Sequence, residues 1–274
     1  MNTDNSAEIL KIDFECSTCN KAKMASRHIP VQRVIEKLDR FFDTNDLAGA
    51  RSLLEYWQAE AQSVGDASGE LSIVNEMLGL YRKTAEKEKG QNAVARALEL
   101  LALTGKAETI SGATILINAA TTSKAFDEPE KAVLLYEKAT KIYKDCGVLE
   151  DDLQFAALYN NFAITLVDLE NFERAKEFYE KAIAITSRQV ESLLDCAVSY
   201  VNLAHLYERW QGIENEHIEP CLKKAEALLG DERLNQNAYY AFVCEKCAPS
   251  FDYFGYFMLA KKLNDKAREI YGRS

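Results

Sequence analysis

An all-α solenoid of antiparallel helix pairs is what this sequence predicts. Three observations predict it: a residue pattern that recurs every 41–43 positions, apolar residues at helical spacing within each copy, and helix breakers between copies. The recurrence is clearest in Tyr136-Glu137-Lys138-Ala139 and Tyr179-Glu180-Lys181-Ala182, which lie 43 residues apart. Ala132 and Ala175 precede the tyrosines by four, so both copies read Ala-x3-Tyr-x2-Ala. A second pattern lies upstream: Leu116-Ile117-Asn118-Ala119-Ala120, Tyr159-Asn160-Asn161-Phe162-Ala163 and Tyr200-Val201-Asn202-Leu203-Ala204, with Asn118, Asn161 and Asn202 spaced 43 and 41. Each repeat therefore holds two unlike helices, and neither can bury its apolar face without a stacked neighbour.

The elements follow in order. Residues 1–27 lack the charged-then-apolar layout of a signal segment and read as a polar tail before the array at 28–274. Asp46 to Leu54 reads as a second helix of a pair, stopped at Gly65-Asp66. Ala97 falls 42 residues before Ala139 and marks the next second helix. Asp127-Glu128-Pro129 starts a helix with Pro in its first turn, and Asp145-Cys146-Gly147 ends one, Gly suiting the left-handed position. After a tight turn at Glu170-Asn171, the apolar set Phe172, Ala175, Phe178, Tyr179, Ala182, Ile183 and Ile185 mostly follows i, i+3, i+4, i+7. Alanine lets helix axes approach to about 8–10 Å, and the tyrosine four residues on fills the space beside it. Leu222-Lys223-Lys224-Ala225 continues the frame, Gly230-Asp231 stops it, and Ala267 and Tyr271 repeat the Ala-x3-Tyr spacing. Gly255 takes the place of the small residue in the last first helix. The count is six pairs.

Leu158-Tyr159-Asn160-Asn161-Phe162-Ala163, then Glu173-Arg174-Ala175 and Tyr179-Glu180-Lys181-Ala182, resembles a tetratricopeptide repeat. The small residues Ala120, Ala163 and Ala204 match that family's first helix, and the Ala and Tyr of the second helix match as well. The family's usual period is 34. The 41–43 found here resembles the longer kinesin-light-chain type, with an added turn in each helix. A HEAT-like solenoid shares the long period, but the Ala-x3-Tyr-x2-Ala spacing favours the tetratricopeptide reading. The chain is thus expected to be one right-handed α-solenoid at residues 28–274.

The resemblance implies that first helices line a concave face where polypeptides bind. Asn75, Asn118, Asn161 and Asn202 stand in register there, and each amide offers donors and an acceptor to an extended backbone. The alternative is that they bond neighbouring helices. One and two turns on lie Gly79 and Arg82, Thr121 and Thr122, Thr165 and Asp168, and His205 and Arg209. The expected groove set is Asn75, Arg82, Asn118, Thr121, Asn161, Thr165, Asn202, His205 and Arg209. Arg82 and Arg209 are the candidates to meet a ligand carboxylate.

Charge and motifs narrow the function further. With 33 Lys+Arg against 43 Asp+Glu the net charge is −10, which repels phosphate backbones and argues against nucleic acid. No apolar stretch reaches the roughly 20 residues of a membrane span, so a cytoplasmic chain is expected. The histidines are His28, His205 and His217, none in a metal or catalytic motif, and phosphate-binding and nucleophile-elbow glycine patterns are absent, so no enzyme activity or cofactor is expected. Seven cysteines include two Cys-x2-Cys pairs, Cys16/Cys19 and Cys244/Cys247. Four thiolates close a zinc site, but these pairs begin at opposite ends of the array, so buried thiols are the expectation and a zinc protein the rival. The aromatic C-terminal run from Tyr239 to Phe257 either packs inward or forms a homodimer surface. The function expected is a non-catalytic scaffold or adaptor holding a protein or peptide.

Overall fold

The computed structural model describes residues 28–272. The tail at 1–27, with Cys16 and Cys19, lies outside the described residues. Among those described there are twelve α-helices and no strand. The helices are α1 (Val31–Asp43), α2 (Leu47–Val64), α3 (Ala67–Lys83), α4 (Lys87–Leu103), α5 (Ile110–Ala125), α6 (Pro129–Asp145), α7 (Leu153–Asp168), α8 (Phe172–Thr186), α9 (Leu193–Gln211), α10 (Ile218–Leu229), α11 (Ala238–Tyr253) and α12 (Phe257–Tyr271). A 3-10 turn at Val190–Ser192 leads into α9. Helices of 15–19 residues in α4 to α9, with their turns, account for the 41–43 residue period.

The chain divides into two compact units, Met1–Met77 and Leu78–Ser274. In the first, α1 buries Val34 and Leu38 while α2 buries Ala50, Leu53, Leu54 and Ala61. The buried Asp66 carboxylate accepts from Gly69 N (2.9 Å), Ile29 N (2.9 Å) and His28 Nδ1 (3.1 Å), so it caps α3 and holds the segment before α1. Burial alone would push this carboxyl up, but the hydrogen bonds from Gly69, His28 and Ile29 hold it below the usual carboxylate range.

In the second unit, α5–α6, α7–α8, α9–α10 and α11–α12 are the packed pairs, and α5, α7, α9 and α11 also touch in series. The alanines of the repeat make this possible: Ala120, Ala163 and Ala204 on first helices and Ala97, Ala139, Ala182 and Ala225 on second helices are all fully buried. Aromatic rings fill the spaces they leave. Tyr136 stacks on Phe162 with centroids 5.0 Å apart, and Phe178 meets Phe162 at 5.1 Å and Tyr159 at 5.2 Å. The Arg174 guanidinium lies 4.9 Å from the Phe162 ring and is paired with Glu137 at 3.1 Å.

The turns within pairs share one backbone solution. Glu86 N donates to Tyr81 O, Glu128 N to Ser123 O, Asn171 N to Leu166 O and Tyr256 N to Phe251 O, closing each helix end through a left-handed residue. That residue is Ala85 (φ 55°), Asp127 (64°), Glu170 (57°) or Gly255 (85°). Gly255 is thus a turn residue, correcting its placement as the small residue of a first helix. The fully buried Ala248, 44 residues after Ala204, holds that place. The longer α10–α11 connection shifts the frame, and a left-handed turn is what a glycine without Cβ adopts at no steric cost. Where the turn residue has a side chain, strain is stored. Ala85→Gly and Glu170→Gly are each expected to stabilise the unit by about 0.5–1 kcal/mol, read as a raised urea midpoint at unchanged slope.

Candidate functional site

The first helices α7, α9 and α11 enclose a groove of about 250 Å³. Ala156, Val198 and Val243, all buried, form its apolar floor, and Leu153 and Phe242, 41% and 50% exposed, stand at its edges. Helical spacing places these residues together: Leu153, Ala156 and Asn160 share one face of α7, as Asp195, Val198 and Ser199 do on α9 and Tyr239, Phe242, Val243 and Lys246 on α11.

Polar groups border the apolar strip. Asn160 Oδ1 accepts from Ser199 Oγ (3.2 Å) and from Asn202 Nδ2 (3.1 Å), joining α7 to α9. That use of the oxygen leaves the Asn160 NH2 free to donate. The neighbouring Asn161 side chain also lines the groove and makes no hydrogen bond to the described residues. Tyr239 Oη donates to Asp195 Oδ1 at 2.5 Å, and its ring stacks on Phe242 at 6.3 Å. Burial and then the Asp195 carboxylate push the Tyr239 phenol well up, so it stays a proton donor and satisfies Asp195. Lys246 has no carboxylate partner among the described residues. The groove therefore offers apolar walls with unspent donors: two amides and one ammonium.

Residues 155–190 match the family model of the tetratricopeptide repeat. The chain carries a tetratricopeptide repeat (TPR). The matched segment spans most of α7, all of α8 and the turn that follows, so the groove is built on the first helix of this TPR and those of the next two pairs. Among solved structures, the chain resembles PilW, a widely conserved type IV pilus biogenesis factor, with a TM-score of 0.56 at 13% identity over 90% of this chain and 96% of that one. It also resembles the nearly identical TPR-like repeats of a Podosopora anserina kinesin-light-chain-type protein, with a TM-score of 0.50 at 17% identity over 73% and 94% of the two chains. At these identities the likeness is one of fold, and the fold is a TPR-like α-solenoid. An uncharacterised Pyropia yezoensis protein, ycf37, is 32% identical over 98 residues, which are 36% of this chain and 46% of that relative, so the match spans less than half of the relative.

Within the TPR frame the residues expected at the groove have several fates. Asn161 lines it. Asn202 spends its NH2 on Asn160, a bond between pairs. Asn118 is half-buried, and its carbonyl accepts from Thr122 Oγ1 at 2.8 Å. Asn75 lies in the first unit and donates to Glu76 Oε1 at 3.2 Å. Thr121 Oγ1 meets Tyr136 Oη at 2.9 Å, tying α5 to α6, while Thr165 is buried and donates to Asn161 O at 3.3 Å. Arg209 pairs with Asp168 at 3.1 Å, and Lys124 meets the same carboxylate at 3.0 Å, so Arg209 is already occupied. Arg82 Nε donates to Leu78 O at 3.3 Å. Asn160, Ser199, Asp195, Tyr239, Phe242 and Lys246 are not in the expected groove set: Asn160 appears only as part of the repeat pattern, Tyr239 and Phe242 only in the C-terminal aromatic run, and the set follows the stripe of Asn118, Asn161 and Asn202.

His205 Nε2 meets Ser250 Oγ at 2.9 Å, and its ring lies 4.8 Å from Phe254. Burial holds its pKa below the usual imidazole value, with Glu208 opposing. A depressed pKa favours the neutral ring in the folded state. The unfolded chain protonates first as pH falls through about 6.5. His205 should therefore contribute stability near pH 7 that is lost on acidification. The gap in urea midpoint between wild type and His205→Gln is expected to shift against wild type between pH 7 and 5, and a pH-independent gap would refute the burial argument.

Cys244 and Cys247 lie fully buried on α11, and burial pushes the Cys247 thiol up to about 12, so both are protonated core thiols. No group of three His, Cys, Asp or Glu among the described residues is placed to hold a metal. No described helix is long and apolar enough to cross a membrane. The aromatic run is divided: Tyr240 and Phe251 pack inward, while Tyr253 and Phe257 are 59% and 65% exposed.

Proposed function

We propose that this TPR chain is a non-catalytic protein-binding scaffold that holds an extended polypeptide in the α7–α9–α11 groove. The observation that carries the reading is the pairing of apolar walls with unspent donors at Asn160, Asn161 and Lys246. An apolar ligand side chain fits between Leu153 and Phe242. The two amides suit backbone carbonyls, which every peptide carries, so they add hold without reading sequence. Phe242 is an exposed aromatic ready to be covered, the kind of residue that dominates binding energy at interfaces.

The test is a peptide-array screen of wild type against an Asn161→Ala/Phe242→Ser variant with unchanged circular dichroism. Ligands found for wild type are expected to bind the variant tenfold or more weakly, since truncating an aromatic anchor costs at least about 1.4 kcal/mol. Equal capture of the same peptides by both proteins would place the binding surface elsewhere and refute the groove.

A further inference from the structure

Six residues (212–217) join α9 to α10, where three suffice for the α5–α6, α7–α8 and α11–α12 turns (126–128, 169–171 and 254–256). The extra length is not needed to close the pair. The loop is nevertheless fixed. Asn215 Oδ1 accepts from His217 N at 2.9 Å, Asn215 Nδ2 donates to Gln211 Oε1, and Asn215 N donates to Gly212 O at 3.2 Å. A loop ordered in advance loses little conformational freedom when a partner binds.

This loop and the α11–α12 turn border a groove of about 350 Å³. Leu222 is buried at its floor, and Ile213 stands 52% exposed at its edge. The turn supplies two half-buried rings, Phe254 and Tyr256. Both are braced: Phe254 by His205 at 4.8 Å and by an edge contact with Tyr253 at 5.1 Å, Tyr256 by Phe251 at 6.0 Å. The loop supplies Glu214 and Glu216, and no cation among the described residues pairs with either. Elsewhere Glu137, Asp151 and Asp168 are taken by arginines, and the adjacent Glu219 by Lys223 at 2.6 Å. Two unspent carboxylates therefore stand beside braced aromatic rings and an exposed apolar side chain. A guanidinium suits all three: its plane stacks on rings, its N–H fork meets carboxylates, and its aliphatic stem covers apolar surface.

We propose that this groove takes an arginine side chain of a basic segment on a partner protein, Glu214 and Glu216 pairing with the guanidinium and Phe254 and Tyr256 stacking on it. The site is separate from the α7–α9–α11 groove and does not rest on that reading. Gln211, at the start of the loop, lies 13 residues beyond Val198 on α9, roughly 20 Å at 1.5 Å per residue. The net charge of −10 adds a general attraction for a basic segment, which the local carboxylates and rings make specific.

The experiment uses the full chain and fluorescence anisotropy. The probe is an N-terminally labelled, C-terminally amidated hexapeptide of alternating Arg and Ala, beside counterparts with Lys and with the uncharged isostere citrulline. Wild type is expected to bind the Arg peptide about tenfold or more tightly than the citrulline peptide, because the charge is lost at constant shape. It should bind the Arg peptide about threefold or more tightly than the Lys peptide, because an ammonium lacks the stacking plane. Glu214→Gln/Glu216→Gln should erase the preference over citrulline. Glu173→Gln/Glu177→Gln, which removes the same charge from the exposed face of α8, should keep it. The proposal is overturned if the Arg peptide does not bind, if Lys or citrulline binds as well, if the loop variant keeps the preference, or if the α8 variant loses as much. Phe242→Ser separates the two sites: a preference that survives there supports the loop whatever becomes of the α7–α9–α11 groove, and one lost there but kept in the loop variant sinks it. Sedimentation decides between partners. Wild type that self-associates through the loop, with a monomeric loop variant, would make a second copy the occupant and overturn the assignment to another protein.

Discussion

Phe162→Ala is expected to destabilise the Leu78–Ser274 unit by about 3–5 kcal/mol, the range for deleting a buried aromatic side chain. Phe162 is 1% exposed and occupies the centre of the ring cluster. Tyr136 stacks on one side at 5.0 Å, Phe178 approaches at 5.1 Å, and the Arg174 guanidinium lies 4.9 Å away. Truncation removes the transfer energy of the ring and leaves a void between α6, α7 and α8 that their close-packed alanines prevent from collapsing. It also strips Arg174 of one of its two aromatic partners, leaving the Phe178 ring at 5.4 Å and the ion pair to Glu137. Phe162→Leu keeps much of the volume and is expected to cost under about half as much. Urea unfolding followed by circular dichroism reads both. A loss below about 1 kcal/mol for the alanine variant would mean that the cluster is not packed as described. A helix array can also unfold piecewise, so a broadened transition, rather than a shifted one, would locate the damage in the matched TPR.

Asn160→Ala is expected to cost about 1–3 kcal/mol and to couple with Asn202. The Asn160 oxygen is the acceptor for Asn202 Nδ2 and Ser199 Oγ. Ser199 has a second partner, the Asp195 carbonyl at 3.0 Å, so its loss is cushioned. Asn202 is half-buried and would be left with unsatisfied donors, which costs more than the net value of the bond itself. A double-mutant cycle of Asn160→Ala with Asn202→Ala isolates the pair and should return about 0.5–2 kcal/mol. A coupling near zero would show that the amides are hydrated independently and that α7 and α9 are held by apolar contact alone.

The two asparagines of Tyr159-Asn160-Asn161 show how far the sequence carried. Spacing of 43 and 41 picked out Asn161 as the member of a ladder with Asn118 and Asn202. In the fold Asn202 bonds Asn160, and Asn161 keeps its amide for the groove. Adjacent helical residues point about 100° apart, so a one-residue choice of register decides which asparagine bonds the neighbouring helix and which keeps its amide for the groove. Periodicity cannot make that choice because both residues fit within the scatter of a 41–43 residue period. Arg209 and Arg82 differ in the same way. Both sit on the predicted stripe, and only the placement of Asp168 separates the spent cation from the unspent one.

What the sequence determined by itself was the helix, its partner and the stacking of pairs. Those depend on nearest neighbours: small residues that let axes approach, aromatics that fill the gap, and a turn closed by local backbone bonds. Such rules act over one period and leave a mark that repeats. The groove depended on the tertiary structure, because it joins Leu153, Val198 and Phe242 from three helices about 44 residues apart in sequence and uses the side chains that are not repeated. Packing needs the same residue at the same place in every copy, whereas recognition is built from the places where the copies differ.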